Sequence, residues 1–389
     1  MRLIQTGTRT GPRVIALGTF DGVHRGHREL LTRARKLADS LGAELRACTF
    51  DRHPLEILRP EAAPGLLQTA AEQAERMAEC GVDEVRVISF TRETAETEPE
   101  DFLRALEEEC EVRGLAAGWN YSFGSGGRGN PELLRRDGAE HGYQVLIVPP
   151  VRTEAGEIIS SSAIREHLKR GNLEAANEML GYAYEISGPV VGGKHEGSRL
   201  GFPTANIQTS SRKLLPAFGV YLCRMESGGK SWNAIANIGN QPTLPSGRTT
   251  VEVFIPDQRV DLYGQEARIG LLEFLRPERR FPSREALQAQ ISRDLARAAE
   301  FPLAPKNIFR ELLFKTLETI AYTEWHCQES KKQAIRIAYI EIYEKDIMAI
   351  GRLKNRSASY RTAELDRVAS LTATATASRT RGSKAAGRI

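Results

Sequence analysis

The sequence predicts an α/β protein in two parts, a parallel sheet covered by helices followed by a compact antiparallel β-unit. Three observations carry this. Apolar strand-like runs alternate with amphipathic helical spacing from Val14 to Leu180, and beyond Gly181 the period falls to two over short segments parted by turns. The chain of 389 residues also exceeds the length at which one hydrophobic core stops growing, roughly 250–300 residues.

In order, Val14 to Leu17 reads as a strand that stops at Gly18, and His27 to Leu41 as a helix with Leu30, Leu31, Ala34, Leu37 and Leu41 on one face. Leu45 to Phe50 is strand-like, Thr69 to Cys80 helical, Glu84 to Phe90 a strand and Pro99 to Arg113 a helix. Leu115 to Gly118 and Gln144 to Pro149 are further strands, separated by the Gly-rich loop Gly124 to Gly129 and a helix over Pro131 to Gly138. Two short helices follow, Ser161 to Arg170 and Leu173 to Leu180. The second part shows period-two runs at Gly219 to Met225, Trp232 to Ile238, Thr250 to Ile255 and Ala267 to Phe274, which fit a barrel or a sandwich of about 120 residues. Ser283 caps a closing helix that runs to Ala299. Asn307 to Ile320 has amphipathic spacing, whereas the stretch from Arg352 is basic, small and repetitive, a composition that predicts disorder.

Composition narrows the function classes. With 54 basic and 50 acidic residues the net charge is only +4, so a nucleic-acid role would have to rest on a local cluster such as the basic tail. Cys48, Cys80, Cys110, Cys223 and Cys327 are scattered and odd in number, which predicts neither a disulfide framework nor a zinc site and fits a reducing cytoplasm. No run is long enough for an export signal or for the ~20 apolar residues that span a bilayer.

Two constellations carry chemistry. The first is Gly18-Thr19-Phe20-Asp21-Gly22-Val23-His24-Arg25-Gly26-His27, a Gly-rich turn leading from a strand into a helix. His24 and His27 are three apart at that helix start, where free amides and the positive dipole end favour phosphate, so together they can bind and neutralise an anion. Asp21 is placed to hold a loop or a metal-bound water. Nothing here is an obvious nucleophile, which suits in-line nucleotidyl transfer. The second constellation is the Gly-rich approach through Gly193, Gly197 and Gly201 to Phe202-Pro203-Thr204-Ala205-Asn206. Thr204 and Asn206 point to one side of an extended segment and offer two oxygens to magnesium. Glu252, between Val251 and Val253, faces away from both, into a barrel mouth or out to solvent.

The wider strings resemble known families. The Gly18–His27 string, Phe50-Asp51-Arg52-His53-Pro54, Gly118-Trp119-Asn120-Tyr121-Ser122-Phe123-Gly124 and Ile159-Ser160-Ser161-Ser162-Ala163-Ile164-Arg165 together resemble the flavin-adenylylating branch of the HxGH nucleotidylyltransferases. Gly201 to Asn206, Asn237-Ile238-Gly239-Asn240-Gln241-Pro242-Thr243, Val251-Glu252-Val253 and Asp261-Leu262-Tyr263-Gly264 resemble riboflavin kinase. In that order the two resemble the bacterial bifunctional riboflavin kinase/FAD synthetases over residues 1–303.

The resemblance implies a Rossmann-like domain over 1–182, a small antiparallel β-barrel over 183–303 and an unassigned extension over 304–389. It implies that riboflavin is phosphorylated to FMN and FMN adenylylated to FAD, with ATP and magnesium in both steps. It places Gly18, Thr19, Phe20, Asp21, Gly26, Ser161, Ser162 and Arg165 at one nucleotide with His24 and His27 at the reaction, and Gly193, Gly197, Gly201, Pro203, Thr204 and Asn206 at the other. Asn120, Phe123 and Asn237 fall to the flavin, and Glu252 becomes the base that takes the hydroxyl proton. Two positions depart from the pattern: Ser162 stands where Thr is usual, and Ser198 where an Arg often precedes Leu-Gly-Phe-Pro. The alternative is a flavin-binding regulator without turnover whose basic tail contacts nucleic acid, against which the intact His24, His27, Thr204, Asn206 and Glu252 weigh.

Overall fold

Strand β2 (Thr10–Leu17) lies at the centre of a six-stranded sheet because its neighbours on both sides are apolar and parallel to it. The strands are β1 (Arg2–Ile4), β2, β3 (Glu44–Phe50), β4 (Glu84–Ile88), β5 (Cys110–Gly118) and β6 (Gln144–Val148), in the order β1-β4-β3-β2-β5-β6. Every pair is parallel. The order reverses between β2 and β5, so the loops leaving those two strands diverge and open a crevice at their carboxyl ends. The computed structural model describes residues 2–4, 10–192, 204–240, 249–256, 260, 262–279 and 281–300.

Helices cover the sheet on both faces. They are α1 (Arg25–Ser40), α2 (Leu55–Leu58), α3 (Ala70–Glu79), α4 (Arg92–Glu96), α5 (Pro99–Glu109) and α6 (Pro131–His141). One apolar layer joins α1 through Leu30, Leu31 and Ala34 to Val14, Ala16 and Leu45; the other joins α5 through Leu103 and Leu106 to Ile15, Leu17 and Leu115. A capping box at Thr69 and Glu72 starts α3, and Asn130 caps α6.

The second half closes into a barrel. Strands β7 (Tyr184–Val191), β8 (Thr204–Ile207), β9 (Gly219–Ser227), β10 (Lys230–Asn240), β11 (Thr249–Phe254) and β12 (Glu266–Pro277) pair antiparallel around the ring β10-β11-β8-β7-β12-β9. Alternation fills the interior with Ile186, Tyr221, Ala236, Ile238, Val251, Val253 and Ile269. Helix α9 (Arg284–Glu300) seals the outer side of β9 and β10, where Leu295 and Ala298 meet Val220, Leu222 and Ile235. Between the two halves, α7 (Ser161–Lys169) and α8 (Leu173–Leu180) pack Ile164, Leu168, Met179 and Leu180 into the same apolar cluster as the barrel interior.

The α/β reading and the choice of barrel over sandwich agree with this architecture. The helix expected over Pro99 to Arg113 ends at Glu109 instead. Cys110, Glu111 and Val112 pair with Thr10, Pro12 and Arg13 of β2, so ladder bonds replace the helical ones. The amphipathic stretch Asn307 to Ile320, with the rest of the tail, lies outside the described residues.

Candidate active sites

The first site is a cleft of about 620 Å³ over the carboxyl ends of β2 and β5. Two helix N-termini line it: α1, entered through His24, Gly26 and His27, and α7, entered through Ser160, Ser161 and Ser162. Their free amides make this end of the cleft suited to phosphate. Arg165, one turn into α7, adds a guanidinium at the wall. The lining is also rich in aromatic rings, with Phe50 against Phe90 at 4.9 Å and Phe123 between Phe102 and Tyr121, each at 5.6 Å. Trp119 stands exposed beside Asn120 in the same lining.

His24 caps α1 with its own ring: Nδ1 accepts the His27 amide at 3.2 Å. The proton of the neutral ring therefore sits on Nε2. The two imidazoles stack at 3.7 Å, and Phe20 meets His27 edge-on at 5.3 Å. Gly26 suits this packing, since a Cβ there would come within 3.1 Å of the His24 ring. Burial lowers the His24 pKa to about 4 and pushes His27 well below its ordinary value, with the neighbouring ring adding to the effect on His27. Burial thus favours the neutral form of both rings, in which each keeps one N–H that can be donated to an anion. His27 Nδ1 is buried and finds no partner among the described residues.

The loop carrying these groups is strained. Phe20 and Val23 have φ of 51° and 31°, a region costly for residues with a Cβ and tolerated where surroundings over-determine the backbone. The surroundings here are explicit. Asp21 is buried, and its carboxylate accepts the Leu67 amide at 2.9 Å, the Gln68 amide at 3.2 Å and the Arg165 guanidinium. Burial pushes this carboxyl up against the pull of Arg165. Ser161 Oγ donates to the Asp21 carbonyl at 2.8 Å, and Tyr182 donates to the Gly22 carbonyl. Of its two sequence-suggested roles Asp21 fills the loop-holding one, and it does not line the cleft. Gly18, Thr19, Phe20, Asn120, Phe123, Ser161, Ser162 and Arg165 all do.

The second site is a row on the outer face of the barrel. Register places Glu252 of β11 opposite Asn206 of β8 on one side and opposite Asn237 of β10 on the other. Directly opposed residues in antiparallel strands share a face, so the three side chains stand together, with Thr204 two residues along β8 on the same side. Val251 and Val253 point inward and are buried, which decides the side that Glu252 faces: outward, half-buried. Glu278 brings another carboxylate against Gly239, two residues beyond Asn237. Gly193, Gly197, Ser198, Gly201 and Pro203 lie outside the described residues, as do Gln241 to Thr243 and Asp261.

Comparison with known proteins finds a separate family model on each part of the chain. The FAD synthetase family model matches residues 7–163 and the riboflavin kinase model residues 180–301. The bifunctional riboflavin kinase/FMN adenylyltransferase of Escherichia coli K12 is 37% identical over 290 residues, covering 74% of this chain and 92% of the relative. The chain belongs to the bifunctional riboflavin kinase/FMN adenylyltransferase family. Its namesakes in Listeria monocytogenes and Bacillus subtilis are 36% and 32% identical, covering 90% and 92% of those proteins. A crystal structure described as a macrolide-efflux protein from Streptococcus pneumoniae superposes with a TM-score of 0.69 at 30% identity, covering 77% of this chain and 96% of that one. No helix among the described residues is long and apolar enough to cross a membrane.

As a riboflavin kinase/FMN adenylyltransferase the chain is an enzyme with a kinase half and a nucleotidyltransferase half, and nothing in the comparisons supports a regulator without turnover. Sequence reasoning passed over Phe90, Phe102 and Pro149 to Val151 of the cleft, and over Glu278 beside the row on β8, β11 and β10. All but Phe102 and Glu278 follow the carboxyl ends of β4 and β6, and that position was the signal available for them.

Proposed function

We propose that the cleft over β2 and β5 adenylylates FMN and that the outer row on β8, β11 and β10 phosphorylates riboflavin, with residues 1–182 and 183–303 as the two catalytic halves. Riboflavin and ATP give FMN and ADP in the barrel half; FMN and ATP give FAD and pyrophosphate in the sheet half. The observation that carries the reading is the register that brings Asn206, Glu252 and Asn237 into one row, because those residues come from three separate motifs.

In the barrel half the riboflavin 5′-hydroxyl attacks the γ-phosphorus of ATP, the bond to ADP breaks, and Glu252 takes the hydroxyl proton. Asn237 is within reach to orient the flavin. Thr204 and Asn206 fit magnesium: both are oxygen donors on one side of β8, and this cation keeps waters and shares substrate phosphates, so few protein ligands suffice. Bound there with ATP, magnesium would neutralise phosphate charge.

In the sheet half the FMN phosphate is already a nucleophile. Its oxygen attacks the α-phosphorus as the bond to pyrophosphate breaks, and no general base is needed. What the site supplies is fixed donors: the N-termini of α1 and α7, the His24 and His27 rings and Arg165. The aromatic part of the lining, with Asn120 and Phe123, suits a flavin ring. Cys48, Cys80, Cys110 and Cys223 are free thiols, which supports a cytoplasmic setting.

The test supplies riboflavin, ATP and magnesium and resolves FMN from FAD. His27→Ala is expected to lower FAD formation by about 100-fold or more while riboflavin phosphorylation continues. Glu252→Gln is expected to lower riboflavin phosphorylation by about 100-fold or more while supplied FMN is still adenylylated. One substitution that silences both reactions in a folded chain would overturn the assignment of separate sites.

A further inference from the structure

Lys213 belongs to the segment between β8 and β9, in the half that carries the kinase row, yet its ammonium is buried against the sheet half. Nζ donates to the Leu67 carbonyl at 2.7 Å and to Glu72 Oε2 at 2.9 Å, and it lies 4.8 Å from the centre of the Tyr184 ring. The acidic groups around it are Glu72, Asp21 and Glu185. Glu72 is otherwise satisfied, by the Thr69 amide at 2.8 Å and by Ser187 Oγ at 2.5 Å.

Backbone bonds reinforce the same join. The Leu66 amide donates to the Arg212 carbonyl at 2.7 Å, and the Leu214 amide donates to the Leu66 carbonyl at 2.8 Å, which makes a parallel bridge of Leu66 with Lys213. Gly65 permits this approach, since a Cβ there would come within 3.1 Å of the Leu214 Cα.

The other edge of this short segment is the support of the adenylylation loop. The Leu67 and Gln68 amides hold the Asp21 carboxylate, and the Gly65 carbonyl accepts Arg165 Nε at 2.9 Å. Residues 65–68 thus stand between Lys213 and the Asp21–Arg165 pair, and Arg165 lines the cleft while Asp21 adjoins Phe20 of the strained turn.

We infer that Lys213 is a positioning residue for FMN adenylylation, supplied by the kinase half: it holds the 65–68 segment in the place from which that segment orients Asp21 and Arg165. The inference rests on the assignment of adenylylation to the sheet-half cleft. Removing the ammonium leaves the Leu67 carbonyl without its donor and Glu72 as a buried charge without its cation, so the segment and the groups it orients shift.

Two variants of the full chain test it, each assayed separately for FAD formation from FMN and for FMN formation from riboflavin. In Lys213→Met, kcat/KM for ATP in FAD formation is expected to fall about tenfold or more, while riboflavin phosphorylation stays within about twofold. Lys213→Met/Glu72→Gln removes the stranded charge, so its melting temperature is expected to return toward that of the parent while FAD formation stays low, because the Leu67 carbonyl still lacks its donor. FAD formation that survives in Lys213→Met, or that recovers with the melting temperature in the double variant, would overturn the inference by reducing Lys213 to a stability residue. Failure of the unsubstituted chain to make FAD from FMN would instead overturn the underlying functional assignment.

Discussion

A histidine that caps a helix through its own Nδ1 has committed one nitrogen to the fold and keeps only the other for chemistry. His24 is in that position, and its pKa of about 4 lies far below the ordinary 6.5 because burial disfavours the charged ring. The unfolded chain therefore takes up a proton on this ring at a pH where the folded chain does not. Stability present above about pH 6.5 is lost as the pH falls toward 4, by up to about 3 kcal/mol from this one group. His27, which burial also holds well below its ordinary value, adds in the same direction. His24→Gln cannot take up that proton, so its urea midpoint is expected to fall less than the parent's between pH 7 and 5; parallel acid limbs would show that the ring is not held neutral. The identities of His24 and His27 were legible in the motif, but their charge was not, because the burial that sets it comes from Phe20 and the surrounding fold.

At the scale of elements, the sheet holds an ionic cluster that no local pattern announces. Glu84 on β4 is buried between Arg13 on β2, with Nη2–Oε1 at 2.9 Å, and Arg46 on β3, with Nε–Oε2 at 2.9 Å. Burial pushes this carboxyl up, but the two arginines outweigh it and hold it below its ordinary value. Glu84→Ala removes the buried carboxylate that Arg13 and Arg46 share and is expected to cost about 3–5 kcal/mol in denaturant unfolding. Glu44→Ala, which removes the half-exposed partner of Arg13, is expected to cost under about 1 kcal/mol; comparable losses would refute the distinction. Helices such as Ser161–Lys169 and Leu173–Leu180 were legible almost to their ends, since amphipathic spacing and caps are local. Strands were less so. Cys110 to Arg113 follows Glu107, Glu108 and Glu109 as though the helix continued, and only pairing with β2 turns it into strand. Arg2–Ile4 is too short to show any period and is defined by its parallel pairing with β4.

At the scale of the whole molecule, the two catalytic halves share one apolar cluster. Leu67 of the sheet half, with Ile164, Leu168, Met179 and Leu180 of α7 and α8, is continuous with Ile186, Tyr221 and Val253 of the barrel. Ion pairs cross the same boundary, including Arg76 with Glu185 at 2.7 Å and Lys213 with Glu72 at 2.9 Å. A shared core predicts shared unfolding: on heating, FMN-forming and FAD-forming activity are expected to disappear at one temperature, and loss of one well before the other would show that the halves melt independently. By itself the sequence determined which chemical groups are present and in what order, because glycines, hydroxyls, imidazoles and carboxylates at short spacings keep their character in any fold. Period-two alternation told that Glu252 opposes Val251 and Val253, but parity cannot say which face is the inside; the closed barrel decided that by burying the valines. The fold alone likewise decided that Asp21 grips amides 46 and 47 residues away and that Lys213 reaches back 146 residues to Leu67, since such partners are chosen by packing between segments that no local pattern connects.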